Sequence, residues 1–206
     1  MDELIAELIR LVNSNHGSVY TSTNLRDNPD VCHACCAWFI HNVTSGKPIA
    51  SILQDLDSTP KSRFAMLQKQ MCLGPSIPKK MLTQARSSGK GVGDSDVAAI
   101  KHLINVHSQP RPGEYIQDVV TLVANLVVSF STTSMDSAMI YLSSDSGGGH
   151  VICMVRHVGG VLIYDPNIGV ISIQMSNRDC WADVLRRIIR WYKTNMGLNK
   201  FAYMAK

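Results

Sequence analysis

The segment Ala34-Cys35-Cys36-Ala37-Trp38-Phe39-Ile40 constrains the fold of this chain more than any other. It is the body of a helix expected from about Val31 to Val43, and it is apolar nearly all round. Such a helix has no face to offer water, so it must lie inside a core. Asp30 would cap it, or Asn28 if Pro29 takes the first helical position. Gly46-Lys47-Pro48 ends it. The chain can supply that core. Its 206 residues suit a single domain, and 45% hydrophobic against 17% charged residues is a globular composition.

The flanking segments assign the class. Leu4, Ile5, Leu8, Ile9, Leu11 and Val12 give residues 3 to 12 the stripe of an amphipathic helix. Residues 13 to 30 are polar and turn-rich. Arg63 to Cys72 reads as a short helix, Leu73 to Gly93 as loop, and Asp94 to Val106 as a helix. Ile116 to Phe130 has helical spacing, yet its valines keep a strand open. From Met139 the pattern changes to four short β-runs: Met139 to Leu142, His150 to Val155, Val161 to Tyr164, and Val170 to Met175. Glycine pairs and triplets and a Pro-Asn turn separate them, as in an antiparallel meander. Asn177 to Lys193 is an amphipathic helix with Trp181, Val184, Leu185, Ile188 and Tyr192 inward. Its outward Arg186, Arg187, Arg190 and Lys193 are the solvated side. Phe201 to Met204 can form a last strand. Helices followed by an antiparallel sheet make an α+β class, with residues 1 to 206 as one domain.

Several functions are excluded or disfavoured. A net charge of +4 is too mild to argue for nucleic acid. The apolar run from Val119 to Phe130 is too short for a membrane span. Met1-Asp2-Glu3 is acidic where a signal peptide would be basic, and residue 2 is not glycine, so N-myristoylation of this form is excluded. Gly89-Lys90-Gly91-Val92-Gly93 lacks both a preceding strand and a G-K-[ST] ending, so it reads as linker and not as a phosphate loop. Cys32 and Cys35 form a C-x-x-C near His33 and His41, but no second pair completes a zinc site. No metal and no cofactor is expected.

The six cysteines therefore read as free thiols in a reducing compartment. Cys35 and Cys36 lie deep in the helix body, where a buried apolar role suits them. Cys32 lies in the first turn, where backbone N–H groups and the positive end of the helix dipole favour a thiolate. His150 opens a β-run directly after Gly147-Gly148-Gly149. Strand alternation sets His150, Ile152 and Met154 on one face. If a four-residue loop closes the next hairpin, Arg156 pairs with Val161, and Asp165 is the diagonal neighbour of His150. A two-residue Gly159-Gly160 loop gives a different register with the same parity. A nucleophile, a base and an acidic residue to orient that base are then within reach of one another. As a bare turn starter, Asp165-Pro166-Asn167 would need no such role.

Cys32 to Trp38 on a buried helix, Gly149-His150-Val151, and Tyr164-Asp165-Pro166-Asn167-x-Gly169 together resemble the YopT-like, AvrPphB-type bacterial effector cysteine proteases. The order Cys, His, Asp and the gaps of 118 and 15 residues match that family's pattern. The resemblance implies a papain-like fold in which Cys32 is the nucleophile, with Cys35 as runner-up. It implies His150 as the general base and Asp165 as its orienting residue. It implies an oxyanion hole completed by an upstream amide, for which Asn28 is the nearest candidate and Asn24 the next. The same framework resembles effector glutamine deamidases, because thiolate attack on a peptide or on a side-chain carboxamide passes through the same kinds of intermediate. A non-catalytic module docking an acidic partner through Arg186 to Lys193 is a third reading. The family setting implies a monomer secreted by a bacterial secretion system into the host cytoplasm, with a host protein as substrate. Only 31 residues precede Cys32, which leaves little room for a removable pro-segment.

Overall fold

The computed structural model describes residues 1–22, 31–59, 62, 64–65, 115–116, 118–132 and 135–205. Among them, five helices enclose one six-stranded antiparallel sheet. The elements are α1 (Asp2–Asn13), β1 (Ser18–Thr21), α2 (Cys32–Thr44), α3 (Ile49–Ser58), α4 (Val119–Ser131), β2 (Ser137–Ser143), β3 (Gly149–His157), β4 (Gly160–Asp165), β5 (Gly169–Gln174), α5 (Arg178–Met196) and β6 (Lys200–Ala205). The strand order is β1-β5-β4-β3-β2-β6. The expected meander is β2 to β5, and β1 and β6 extend it on either side.

Period-two alternation divides the core in two. Ile140, Ile152, Met154, Val161 and Ile163 face one side and pack with α1, α4 and α5. Met139, Tyr141, Val151, Cys153, Leu162 and Tyr164 face the other and pack with α2 and α3. The apolar helix α2 is enclosed as its composition requires, with Phe39 stacked on Tyr164 at 4.6 Å and 22°. Trp38 meets Phe64 edge-on at 5.9 Å.

Three elements differ from the reading of the sequence. Residues 13 to 30 include β1, whose Tyr20 pairs with Val170. Its Val19-Tyr20-Thr21 run favours a strand, but four residues in a turn-rich segment are too few to stand out until β5 supplies the partner. Helix α3 follows Pro48 directly, burying Ile52 and Leu56. The cap of α2 is Val31, with no side-chain cap bond, where the sequence offered Asp30 or Asn28. The ambiguous segment before Phe130 is helical. Asp118 caps it by accepting from the Thr121 N–H at 2.8 Å, and Val119, Leu122, Val123, Leu126 and Phe130 are buried together. Burial of that stripe outweighs the weak helix propensity of valine. Asn24, Asn28, Asp30, Cys72, the Gly89–Gly93 run and the helix expected over 94–106 lie outside the described residues, as does nearly all of the Arg63–Cys72 segment.

Candidate active site

Helix α2 begins at Cys32, so this cysteine stands at the first helical position, at the end of the helix where the dipole is positive. It is 6% exposed. The first-turn N–H groups of any helix have no acceptor within the helix and point beyond its end. Cys35 and Cys36 are fully buried one turn further in. Burial pushes both thiols well above their ordinary range, and neighbouring thiols add to the effect. The Cys36 thiol donates to the Val151 carbonyl at 3.2 Å, which ties α2 to β3.

The β3–β4 hairpin sets the second half of the site. Arg156 pairs with Val161, one of the two registers the sequence allows. The ladder continues to His157 and Gly160, so the loop is Val158-Gly159, with Gly159 at φ +74°. Asp165 ends β4 on the same face as Ile163 and Val161, and His150 lies near the start of β3 on the face of Ile152. The imidazole Nε2 is 2.9 Å from Asp165 Oδ1, and both residues are buried.

The Asp165-Pro166-Asn167-Ile168-Gly169 turn holds that carboxylate. The Asn167 N–H donates to Asp165 Oδ1 at 2.8 Å, and the Ile168 N–H donates to the Asp165 carbonyl at 3.0 Å. Gly169 pairs directly with Asp165 across the turn. Its φ of +119° and its approach to the Tyr20 carbonyl admit no side chain. The glycines before His150 serve the preceding hairpin. Gly147 and Gly148 adopt φ +87° and +88°, and the Ser144 N–H donates to the Gly148 carbonyl.

Cys32 belongs to the layer on the opposite side of the sheet, yet its thiol meets the His150 ring at the end of β3. Burial alone would pull this imidazole down. The Asp165 carboxylate, through its charge and its hydrogen bond, and the adjacent Cys32 thiol outweigh that and push it up to about 10. The structure thus brings Cys32, His150 and Asp165 together and leaves Cys35 out.

Sequence reasoning missed a fourth member. Tyr192 reads as one more inward residue of α5, and it is fully buried. Its ring stacks on His150 at 4.4 Å and 26°, and its hydroxyl donates to Asp165 Oδ1 at 3.1 Å. Asn167, read as a turn residue, donates from Nδ2 to that hydroxyl at 2.9 Å. The only available signal was a hydroxyl-bearing ring on an otherwise apolar helix face.

His33 has a different environment. Its Nε2 lies 3.1 Å from the Tyr141 hydroxyl, and burial lowers its imidazole to about 4. A histidine lowered from 6.5 favours the fold when neutral. That stability is present above pH 6.5 and is lost as pH falls through 4. His150, raised in the fold, acts in the opposite window: its contribution is present below pH 6.5 and is lost as pH rises towards 10. His33→Gln keeps a polar partner for Tyr141 and cannot titrate. It is expected to remove an acid destabilisation on the order of 3 kcal/mol between pH 6.5 and 4. Urea unfolding of both proteins across that range checks this; parallel curves would refute it.

The basic face of α5 is partly paired within the chain. Arg187 bonds Glu7 of α1 and Asp183, and Arg186 lies 3.8 Å from Asp183. Among the described residues no cluster of three or more His, Cys, Asp or Glu could hold a metal ion, and no helix is long and apolar enough to cross a membrane.

No protein-family profile matches the chain, and no curated protein matches its sequence. Solved structures do match. The Pseudomonas avirulence protein AvrPphB superposes with a TM-score of 0.56 over 90% of this chain and 95% of that one, at 14% identity. PatoxP, a cysteine protease-like domain of the Photorhabdus asymbiotica toxin PaTox, superposes with a TM-score of 0.46 over 98% of this chain and 57% of that one, at 10% identity. The chain therefore has the α+β, papain-like fold seen in AvrPphB.

Proposed function

We propose that this protein is a cysteine hydrolase, acting as a protease, with Cys32 as nucleophile, His150 as general base and Asp165 as the residue that orients His150. The observation that carries this reading is the buried imidazole with Nε2 2.9 Å from Asp165 Oδ1 and the Cys32 thiol beside the same ring. A protonated ring beside Cys32 favours the thiolate, the attacking form. The thiolate adds to the carbonyl carbon, and the oxyanion forms at the N-terminal end of α2, where backbone N–H groups and the dipole favour negative charge. His150 then gives its proton to the leaving amine. The resulting thioester takes up water, which His150 deprotonates, and the carboxylic acid leaves as the thiolate returns. Asn28 is the proposed upstream oxyanion donor, on the family resemblance alone.

The likeness to a Pseudomonas avirulence protein supports the proposed setting. The chain would be a monomeric effector exported by a bacterial secretion system into host cytoplasm, acting on a host protein. Intact-mass spectrometry of a host-cell extract treated with the wild type or with Cys32→Ala tests the reaction. The expected result is a target split into two fragments by the wild type only. A target recovered whole but about 1 Da heavier makes the reaction glutamine deamidation, with the thioester hydrolysed to glutamate. Identical extracts, together with an unreactive Cys32, refute the hydrolase and favour a binding module.

A further inference from the structure

Tyr192 makes contacts that core filling does not require. Its inward neighbours on α5, Val184, Leu185, Ile188 and Ile189, are aliphatic, and any of them could fill apolar space. A buried hydroxyl is costly unless it is paired. This one is paired with the same oxygen that takes the imidazole: Asp165 Oδ1 accepts from His150 Nε2 at 2.9 Å, the Asn167 N–H at 2.8 Å and the Tyr192 hydroxyl at 3.1 Å. Among the described residues, the other carboxylate oxygen has no hydrogen-bond partner. The rotamer of Asp165 is therefore set at Oδ1, and Tyr192 is one of three donors there. The same side chain is also a flat wall against the imidazole, 4.4 Å between ring centroids. Trp191 braces it edge-on at 5.2 Å and 90°, and Asn167 Nδ2 fixes its oxygen.

We propose that Tyr192 is a positioning residue for the His150–Asp165 pair, its ring holding the plane of the imidazole and its hydroxyl holding the carboxylate. For its effect on Cys32 chemistry this rests on the hydrolase reading; for its effect on the ring it does not. Among the described residues, the titratable groups facing His150 are Cys32 from α2, Asp165 from β4 and Tyr192 from α5. Those facing Asp165 are His150, Tyr192 and Tyr164. When the Tyr192 donor is removed, the carboxylate has more charge to share with the imidazolium, so the ring should hold its proton to higher pH.

The test uses the full chain with Tyr192→Phe, which keeps the stack, and Tyr192→Leu, which removes both contacts. The His150 ring is titrated by NMR with labelled histidine, and Cys32 is alkylated with iodoacetamide across pH. In Tyr192→Phe the ring titration is expected to rise by about half to one pH unit, the size of one modest hydrogen bond, while alkylation stays within about threefold of wild type. In Tyr192→Leu, alkylation at neutral pH is expected to slow about tenfold or more, with the thiolate no longer held beside an ordered imidazolium. A side chain that only fills the core would leave the ring titration of Tyr192→Phe where it was. That coincidence, with correct folding by circular dichroism, overturns the proposal. His150→Ala separates the two readings. If it leaves the alkylation profile unmoved, the hydrolase reading fails, and the ring titration of the two Tyr192 variants still decides the role of this tyrosine.

Discussion

Cys32→Ala is expected to fold normally and to lose turnover by a factor of about 10⁴ or more, since no other group at the site can form the thioester. The folding cost is small, on the order of 1 kcal/mol, because one small side chain at the end of α2 is removed. Cys35→Ala is the control. That thiol is fully buried and pushed above its ordinary range, so its loss should leave turnover within a few-fold of wild type. Asp165→Asn tests the orienting role separately. An amide oxygen can still accept from His150, Tyr192 and the Asn167 N–H, but it carries no charge to keep the imidazole protonated. A loss of about 100-fold or more is expected, with the ring titrating well below its wild-type position. Peptide mapping after limiting iodoacetamide identifies the reactive thiol. Labelling of Cys35 before Cys32, or full turnover in Cys32→Ala, would remove Cys32 from the role proposed for it.

Gly169→Ala should be the most damaging single methyl group in the described structure. A Cβ at that position would lie 2.0 Å from the Tyr20 carbonyl oxygen, 2.9 Å from the Ser22 nitrogen and 3.0 Å from Thr21 Cα. All three are backbone atoms of β1 or of the residue after it, so no rotamer change relieves the clash. The φ of +119° adds strain of its own. Either β1 leaves the sheet or the Asp165 turn opens. The expected destabilisation is at least about 3 kcal/mol by urea unfolding. Gly197→Ala serves as the comparison, because Gly197 caps α5 at φ +67° with open space around its Cβ position. There the cost should be about 1 kcal/mol, the ordinary left-handed penalty. Equal stability for the two variants would mean that β1 does not seat against this turn. Because Gly169 pairs with Asp165, the variant is also expected to lose activity as the carboxylate shifts.

Local pattern was enough for most of the elements, because burial of one face is written in residue spacing. The apolar Cys35–Ile40 run had to be enclosed, and the alternation from Met139 to Met175 had to form a sheet with two covered faces. The parity that sets His150 and Asp165 on one side of the hairpin followed from the same period of two, and the D-P-N-x-G segment marked its turn. Short elements were less legible. Strand β1 gains its stability from β5, distant in sequence, and α3 is a short helix packed on α2; a run as short as Ser18-Val19-Tyr20-Thr21 does not show which strand it will pair with.

The sequence by itself determined most of the longer helices and strands and which residues along each of them face inward, but not β1 or α3. Only the tertiary structure decided that the start of α2, packed on one side of the sheet, reaches around the end of β3 to a histidine 118 residues later that faces the other side. It also decided that Tyr192, one turn beyond Ile188 on an apolar stripe, would stack on that histidine at the edge of the core. The physical reason is that periodicity fixes direction within an element but is blind to the offset between elements. That offset is set by side-chain packing across the whole layer, where a shift of one residue would take the Tyr192 hydroxyl away from the Asp165 carboxylate.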